Sequence, residues 1–181
     1  MGRVIVAHVA VTTAPDYLSR REAFRQAHIE RLVALRGLGV VIGGGPAPDG
    51  RSVDLFFRVS EPGDLARLIE EDPYYRGGAW TGYAPRSFSQ FVEPWQQPAV
   101  VLDGSRRTSI VEGPTADPDT AQLALVELRG GGRLVLGGLF DGRETLAVLR
   151  SPDPAEALGW LAETGFWPAG GLTGRAWLHV L

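Results

Sequence analysis

The chain has 181 residues, 44% of them hydrophobic and 22% charged, enough apolar material for one large folded domain or two small ones and too much for a disordered chain. Its 18 basic and 21 acidic residues leave a net charge of −3, and no basic cluster exceeds the pairs Arg20-Arg21 and Arg106-Arg107, so no nucleic-acid partner is expected. Cysteine is absent, which excludes disulfides, thiolate metal sites and a cysteine nucleophile and agrees with a cytoplasmic setting; lysine is absent too, which excludes Schiff-base chemistry and a P-loop lysine.

The longest apolar run, residues 4–11, reads as a β-branched strand and falls far short of the roughly 20 residues that cross a bilayer, so no membrane partner is expected. Ser19-Arg20-Arg21-Glu22 reads as a capping box opening a helix to about Arg36, with Gly37 as its stop. Residues 40–44 and 53–59 are predicted strands around the turn Pro46-Ala47-Pro48-Asp49-Gly50. A short helix over about 62–71 and a strand over about 81–92 complete this series.

The segment Leu35 to Gly45 then returns as Leu128 to Gly138 at a constant offset of 93. The second series accordingly predicts strands near 108–111, 133–140, 144–149 and 172–180 and helices near 118–129 and 154–163, with Asp117-Pro118 as a cap and first helical residue. Each series is strand, helix, strand, strand, helix, strand. The expected fold class is α+β: two ferredoxin-like βαββαβ halves, residues 1–95 and 96–181, packed sheet to sheet as a pseudo-dimeric α/β barrel.

Three histidines are present, His8, His28 and His179. On a helical wheel of about 100° per residue, His28 falls between Leu35 and Leu32, inside the apolar stripe that begins with Phe24. Such a position suits a buried core histidine or a catalytic base. Asp72 sits where the short helix closes, at the negative end of the macrodipole and before Pro73, an unfavourable place for a carboxylate on local grounds. With about 1.5 Å of rise per helical residue, His28 and Asp72 reach similar heights on adjacent helices, so an aspartate that fixes the tautomer of a proton-transferring histidine is feasible. In the second series the matching positions are Ala121 and Thr164, so both members are missing together.

Ala27-His28-Ile29-Glu30-Arg31-Leu32, the turn Gly43-Gly44-Gly45-Pro46-Ala47-Pro48-Asp49-Gly50 and Asp72-Pro73-Tyr74 resemble the YCII-related proteins of the dimeric α/β-barrel superfamily. The resemblance covers residues 1–95 and reaches the second series only through the repeat. It implies ferredoxin-like units paired sheet to sheet and an active-site histidine–aspartate pair, carried here onto His28 and Asp72. It does not fix the reaction, because relatives in the superfamily include isomerases, a dehydrochlorinase and cofactor-free oxygenases. The chain departs from the single-domain homodimer by fusing two copies, one without the pair.

His8 shares a strand face with Val4, Val6 and Ala10 and is expected either to line the same cavity as His28 or to be structural; His179, near the end of the last strand, is expected to be structural. Tyr74, Tyr75 and Trp80 either wall a pocket for a ring-bearing ligand or simply pack. Arg76 and Arg86 either bind a carboxylate or enolate or face solvent. The glycine runs lack a nucleotide-binding context, and no metal-binding or serine-hydrolase motif occurs. The expected activity is cofactor-independent acid–base chemistry on a small, ring-bearing organic substrate through elimination, isomerisation or cyclisation. The alternatives are cofactor-free oxygenation of the same carbanion and non-catalytic small-molecule binding. Either a monomeric pseudo-dimer or a homodimer satisfies this reading.

Overall fold

The β-branched runs become strands where the pattern places them. In the computed structural model, which describes residues 4–141 and 143–181, the first series forms β1 (Ile5–Thr13), α1 (Tyr17–Arg20), a 3-10 turn (Arg21–Phe24), α2 (Arg25–Gly37), β2 (Val41–Pro46), β3 (Ser52–Val59), α3 (Pro62–Glu70), α4 (Pro73–Arg76) and β4 (Trp80–Val92). The second forms β5 (Thr108–Pro114), α5 (Pro118–Gly130), β6 (Leu134–Phe140), β7 (Glu144–Leu149), α6 (Pro154–Ala162) and β8 (Thr173–Trp177).

The chain divides into two units. Unit 1 holds Met1–Ser87, Ala99–Leu102 and His179–Leu181, and unit 2 holds Phe88–Pro98 and Asp103–Leu178. The division falls inside β4, because residues up to Ser87 pair with β1 and residues from Phe88 pair with β6. In unit 1 the antiparallel strand order is β2-β3-β1-β4. In unit 2 the strands of the second series are ordered β6-β7-β5-β8, the same arrangement of second, third, first and fourth strand. This order is the ferredoxin-like plan.

Alternation along β1 and β3 decides which side chains meet the helices. Ala7, Val9 and Val11 of β1 and Val53, Leu55, Phe57 and Val59 of β3 join Leu32, Leu65 and Ile69 from the helices in the unit 1 core. Each large apolar side chain buried there contributes about 1.5–3 kcal/mol. Unit 2 has its own core, in which Leu125 and Leu128 of α5 and Leu161 of α6 pack on Leu134, Leu139 and Leu149.

The repeat preserves a helix ending. Gly39 has φ +74° and Gly132 has φ +77°, the left-handed conformation that favours glycine. After α2, Val40 N–H donates to Leu35 O at 2.9 Å and Gly39 N–H to Arg36 O at 2.9 Å; after α5, Arg133 N–H donates to Leu128 O at 2.9 Å and Gly132 N–H to Arg129 O at 3.0 Å. Both are Schellman endings. Gly37, expected to be the stop, is instead the last helical residue, and the reversal waits for Gly39.

Other expectations change at element ends. Ser19 does not cap a helix: the chain turns helical at Tyr17, the Ser19 hydroxyl donates to Asp16 O at 2.9 Å, and a 3-10 turn intervenes before α2. The last strand stops at Trp177, and the N–H groups of Val180 and Leu181 both donate to Gly44 O in unit 1, at 2.9 and 3.1 Å. His179 therefore lies beyond β8 rather than near its end. Asp117 caps α5 as expected, accepting from the N–H groups of Asp119 and Thr120. Among the described residues no helix is long and apolar enough to cross a membrane.

Candidate active site

His28 projects from the second turn of α2 toward α4, on the stripe that also buries Leu32 and Arg36. Asp72 lies between α3 and α4. α3 ends at Glu70 with Glu71 as its C-cap, and Asp72, extended at φ −67° and ψ 137°, becomes the N-cap of α4 with Pro73 in the first helical position. The poor local placement expected for this carboxylate is thus relieved, because the helix that begins after it supplies a donor.

Oδ1 of Asp72 accepts the backbone N–H of Tyr74 at 2.9 Å and lies 2.8 Å from Nδ1 of His28. Its Oδ2 forms an ion pair with Nη1 of Arg31 at 3.5 Å, and Arg31 also faces Glu71 at 3.8 Å. Asp72 is only 1% exposed. A buried oxygen already accepting one N–H, with a guanidinium on its twin, is a carboxylate; Nδ1 of His28 therefore carries hydrogen and donates to it. That tautomer leaves Nε2 with a lone pair, and among the described residues Nε2 makes no hydrogen bond.

Aromatic rings fix the imidazole from two sides. Tyr74 stacks on His28 with ring centroids 3.7 Å apart and an interplanar angle of 13°, while Trp80 meets it edge to face at 5.1 Å and 86°. Tyr17 packs edge-on to Tyr74 at 6.0 Å and also lines a cleft of about 660 Å³ formed by residues 13–19 and 49–51. Burial pushes the Tyr17 hydroxyl above its ordinary value, although the Arg21 guanidinium, 5.2 Å over its ring, opposes the shift. Burial likewise pushes Tyr74 up. Both rings therefore stay protonated through neutral pH.

The remaining candidates divide. Tyr75 packs against Tyr83 at 5.9 Å rather than against His28, and the Tyr83 hydroxyl, donating to Glu70 at 2.7 Å, is pushed up to about 12 by that carboxylate. His8 and Arg86 are not brought to the His28 cluster. They are directly opposed on β1 and β4, on the face alternate to Ala7 and Val9. There Nε2 of His8 lies 2.7 Å from Oδ1 of buried Asp54, and Arg86 donates to Nδ1 at 3.3 Å. Both nitrogens of His8 are thus engaged, in contrast with His28. Tyr17 and the contact of Arg31 with Asp72 escaped sequence reasoning; the only signal for Arg31 was its position three residues after His28.

In unit 2 the position matching His28 is Ala121, fully buried in α5. The position matching Asp72 is Thr164, whose hydroxyl accepts the N–H of Phe166 at 3.4 Å. The turn-capping role survives there, whereas the histidine partner does not.

No family model matches the chain, and no curated protein matches it. Solved structures do. A monooxygenase-like protein of Lactobacillus acidophilus has a TM-score of 0.58 at 10% identity, over 98% of this chain and 94% of that one. A monooxygenase-like protein of Fusobacterium nucleatum has a TM-score of 0.55 at 9% identity, over 99% and 94%. The fold class is that of the dimeric α/β-barrel proteins. A heme-binding protein of Thermus thermophilus shares the fold with a TM-score of 0.52 at 13% identity, over 98% and 92%. At these identities the likeness shows the fold alone.

Proposed function

We propose that the protein is a cofactor-independent acid–base enzyme in which Nε2 of His28 removes a proton from an activated carbon acid and returns it elsewhere on the same molecule. The observation that carries this reading is the state of His28: Nδ1 is tied to a buried carboxylate at 2.8 Å while Nε2 makes no hydrogen bond among the described residues. Asp72 fixes the tautomer, and Arg31 and the Tyr74 N–H hold Asp72 in place. Tyr74 and Trp80 suit a flat, ring-bearing substrate. The reaction class is elimination, isomerisation or cyclisation, in a cytoplasmic enzyme. The resemblance of residues 1–95 to YCII-related proteins supports the same pair, with residues 96–181 as a degenerate copy serving as structural partner.

Two fold neighbours are monooxygenase-like. The same base would serve a second reaction, in which dioxygen traps the carbanion; oxygen consumption coupled to turnover separates the two. A heme does not fit this site. The His28 ring is held against Tyr74 and Trp80, and no histidine lines the 660 Å³ cleft.

The test is deuterium exchange at the acidic C–H of a panel of cyclic 1,3-diketones and phenolic ketones, followed by proton NMR. Wild-type protein accelerates exchange and His28→Gln, which keeps a polar side chain, abolishes the acceleration. Exchange that is unaffected by the substitution removes His28 from the mechanism. If no member of the panel exchanges, small-molecule binding becomes the better account.

A further inference from the structure

Trp80 is the first residue of β4 and only 2% exposed, yet no hydrogen bond reaches its indole N–H among the described residues. Buried tryptophan normally satisfies this donor. Unit 2 shows the ordinary case: Trp167, also 2% exposed, donates its indole N–H to Thr145 Oγ1 at 3.0 Å. The unsatisfied donor is on the ring that walls His28, and Tyr74 packs edge-on to the same ring at 5.7 Å. Tyr17 also packs edge-on to Tyr74, and its hydroxyl feels the Trp80 N–H, which favours its ionised form. An indole N–H and a phenol O–H thus accompany the free imidazole nitrogen within one aromatic cluster.

We infer that the indole N–H of Trp80, assisted by the Tyr17 hydroxyl, binds the oxygen of the substrate that becomes negatively charged, so that the substrate class is a planar ring bearing an enolisable carbonyl or a phenolic oxygen. This assignment rests on His28 being the base. When Nε2 takes the proton, the electron pair of the broken bond stays on the substrate: from a C–H beside a carbonyl it forms the enolate C=C as the carbonyl π pair moves onto oxygen, and from a phenol O–H it remains on the oxygen; in both the indole and Tyr17 hydrogens meet the new charge. Return of the proton from His28 to another carbon restores the neutral oxygen. A donor that makes no hydrogen bond in the free protein, as the Trp80 N–H does, gains more from an oxyanion than from a neutral carbonyl, which directs its binding energy to the transition state. The raised Tyr17 keeps that hydroxyl a donor at working pH.

The experiment is a nitrogen-15 NMR titration of the wild-type protein with 4-nitrophenol, and separately with nitrobenzene, which has the ring without the oxygen donor–acceptor group. The Trp80 indole resonance is identified by its absence in Trp80→Phe, and the His28 ring by its absence in His28→Gln. The expected result is a downfield shift of the Trp80 N–H with 4-nitrophenol and little change with nitrobenzene. Trp80→Phe, which keeps an aromatic wall, should weaken 4-nitrophenol binding about five- to tenfold and leave nitrobenzene unchanged. A shift of the His28 ring with an unmoved Trp80 N–H overturns the assignment while leaving His28 as the base. Movement of neither ring overturns it as well, and the exchange assay with His28→Gln then decides the base independently. Where Trp80→Phe folds poorly, the Trp80 indole resonance is identified in the wild-type protein by its nuclear Overhauser contacts to the His28 and Tyr74 rings, and the titration stands.

Discussion

Replacing Asp72 by asparagine preserves shape and removes charge, and the structure sets its cost. Oδ1 accepts two N–H groups at 2.8 and 2.9 Å, and Oδ2 faces Arg31 at 3.5 Å. A hydrogen bond to a charged group contributes about 1.5–3 kcal/mol against about 0.5–1.5 for a neutral one, so each of the two loses about 1 kcal/mol. The Arg31 pair adds about 0.5 kcal/mol after solvent screening, because that guanidinium is 22% exposed. The total is about 2–3 kcal/mol, which for a chain of this size lowers Tm by roughly 4–12 °C. The loss is read by urea titration under circular dichroism, together with nitrogen-15 spectra of the histidine rings, in which the Nδ1–H population of His28 should fall. A destabilisation below about 0.5 kcal/mol with unchanged His28 resonances would refute the bonded, buried carboxylate on which the proposed chemistry stands.

Arg31→Met should cost only about 0.5–1 kcal/mol in the same titration, since it removes an ion pair and leaves both hydrogen bonds of Oδ1; the His28 tautomer should not change. Gly39→Ala and Gly132→Ala should each cost about 1–2 kcal/mol by forcing a side chain into the left-handed region, while Gly37→Ala, helical and with open space at its Cβ, should be neutral or stabilising by up to about 1 kcal/mol. If Gly37→Ala is the costly one, the helix ending has been misplaced. Burial raises Tyr17 and Tyr74 above the unfolded value near 10, so the folded state holds protons that the unfolded chain has lost; stability should be intact below that pH and fall as pH rises beyond it. Tyr17→Phe should flatten that alkaline decline in thermal melts, and an unaltered slope would remove Tyr17 from the account.

Much of the fold was legible because its determinants are local. The β-branched run at the start, the Asp117-Pro118 cap and the strand at residues 144–149 each depend on neighbours a few positions away. The repeat at offset 93 carried the strand–helix order of one half onto the other, and both halves adopt the same strand arrangement. The apolar stripe of α2 already placed His28 on the buried face.

Which partners the buried polar groups found was decided by tertiary structure alone. His28 and Asp72 are 44 positions apart, and His8 and Asp54 are 46 apart. Both pairs are a histidine beside an aspartate, and composition does not distinguish them. Strand register does: the direct opposition of His8 and Arg86 engages the second nitrogen of His8, while the turn between α3 and α4 makes Asp72 a cap and leaves Nε2 of His28 without a hydrogen bond among the described residues. The unsatisfied Trp80 N–H has the same origin, since a donor is left alone only by what packs around it. Side-chain periodicity assigns a residue to a face, but the partner it meets there depends on chain segments far away in sequence.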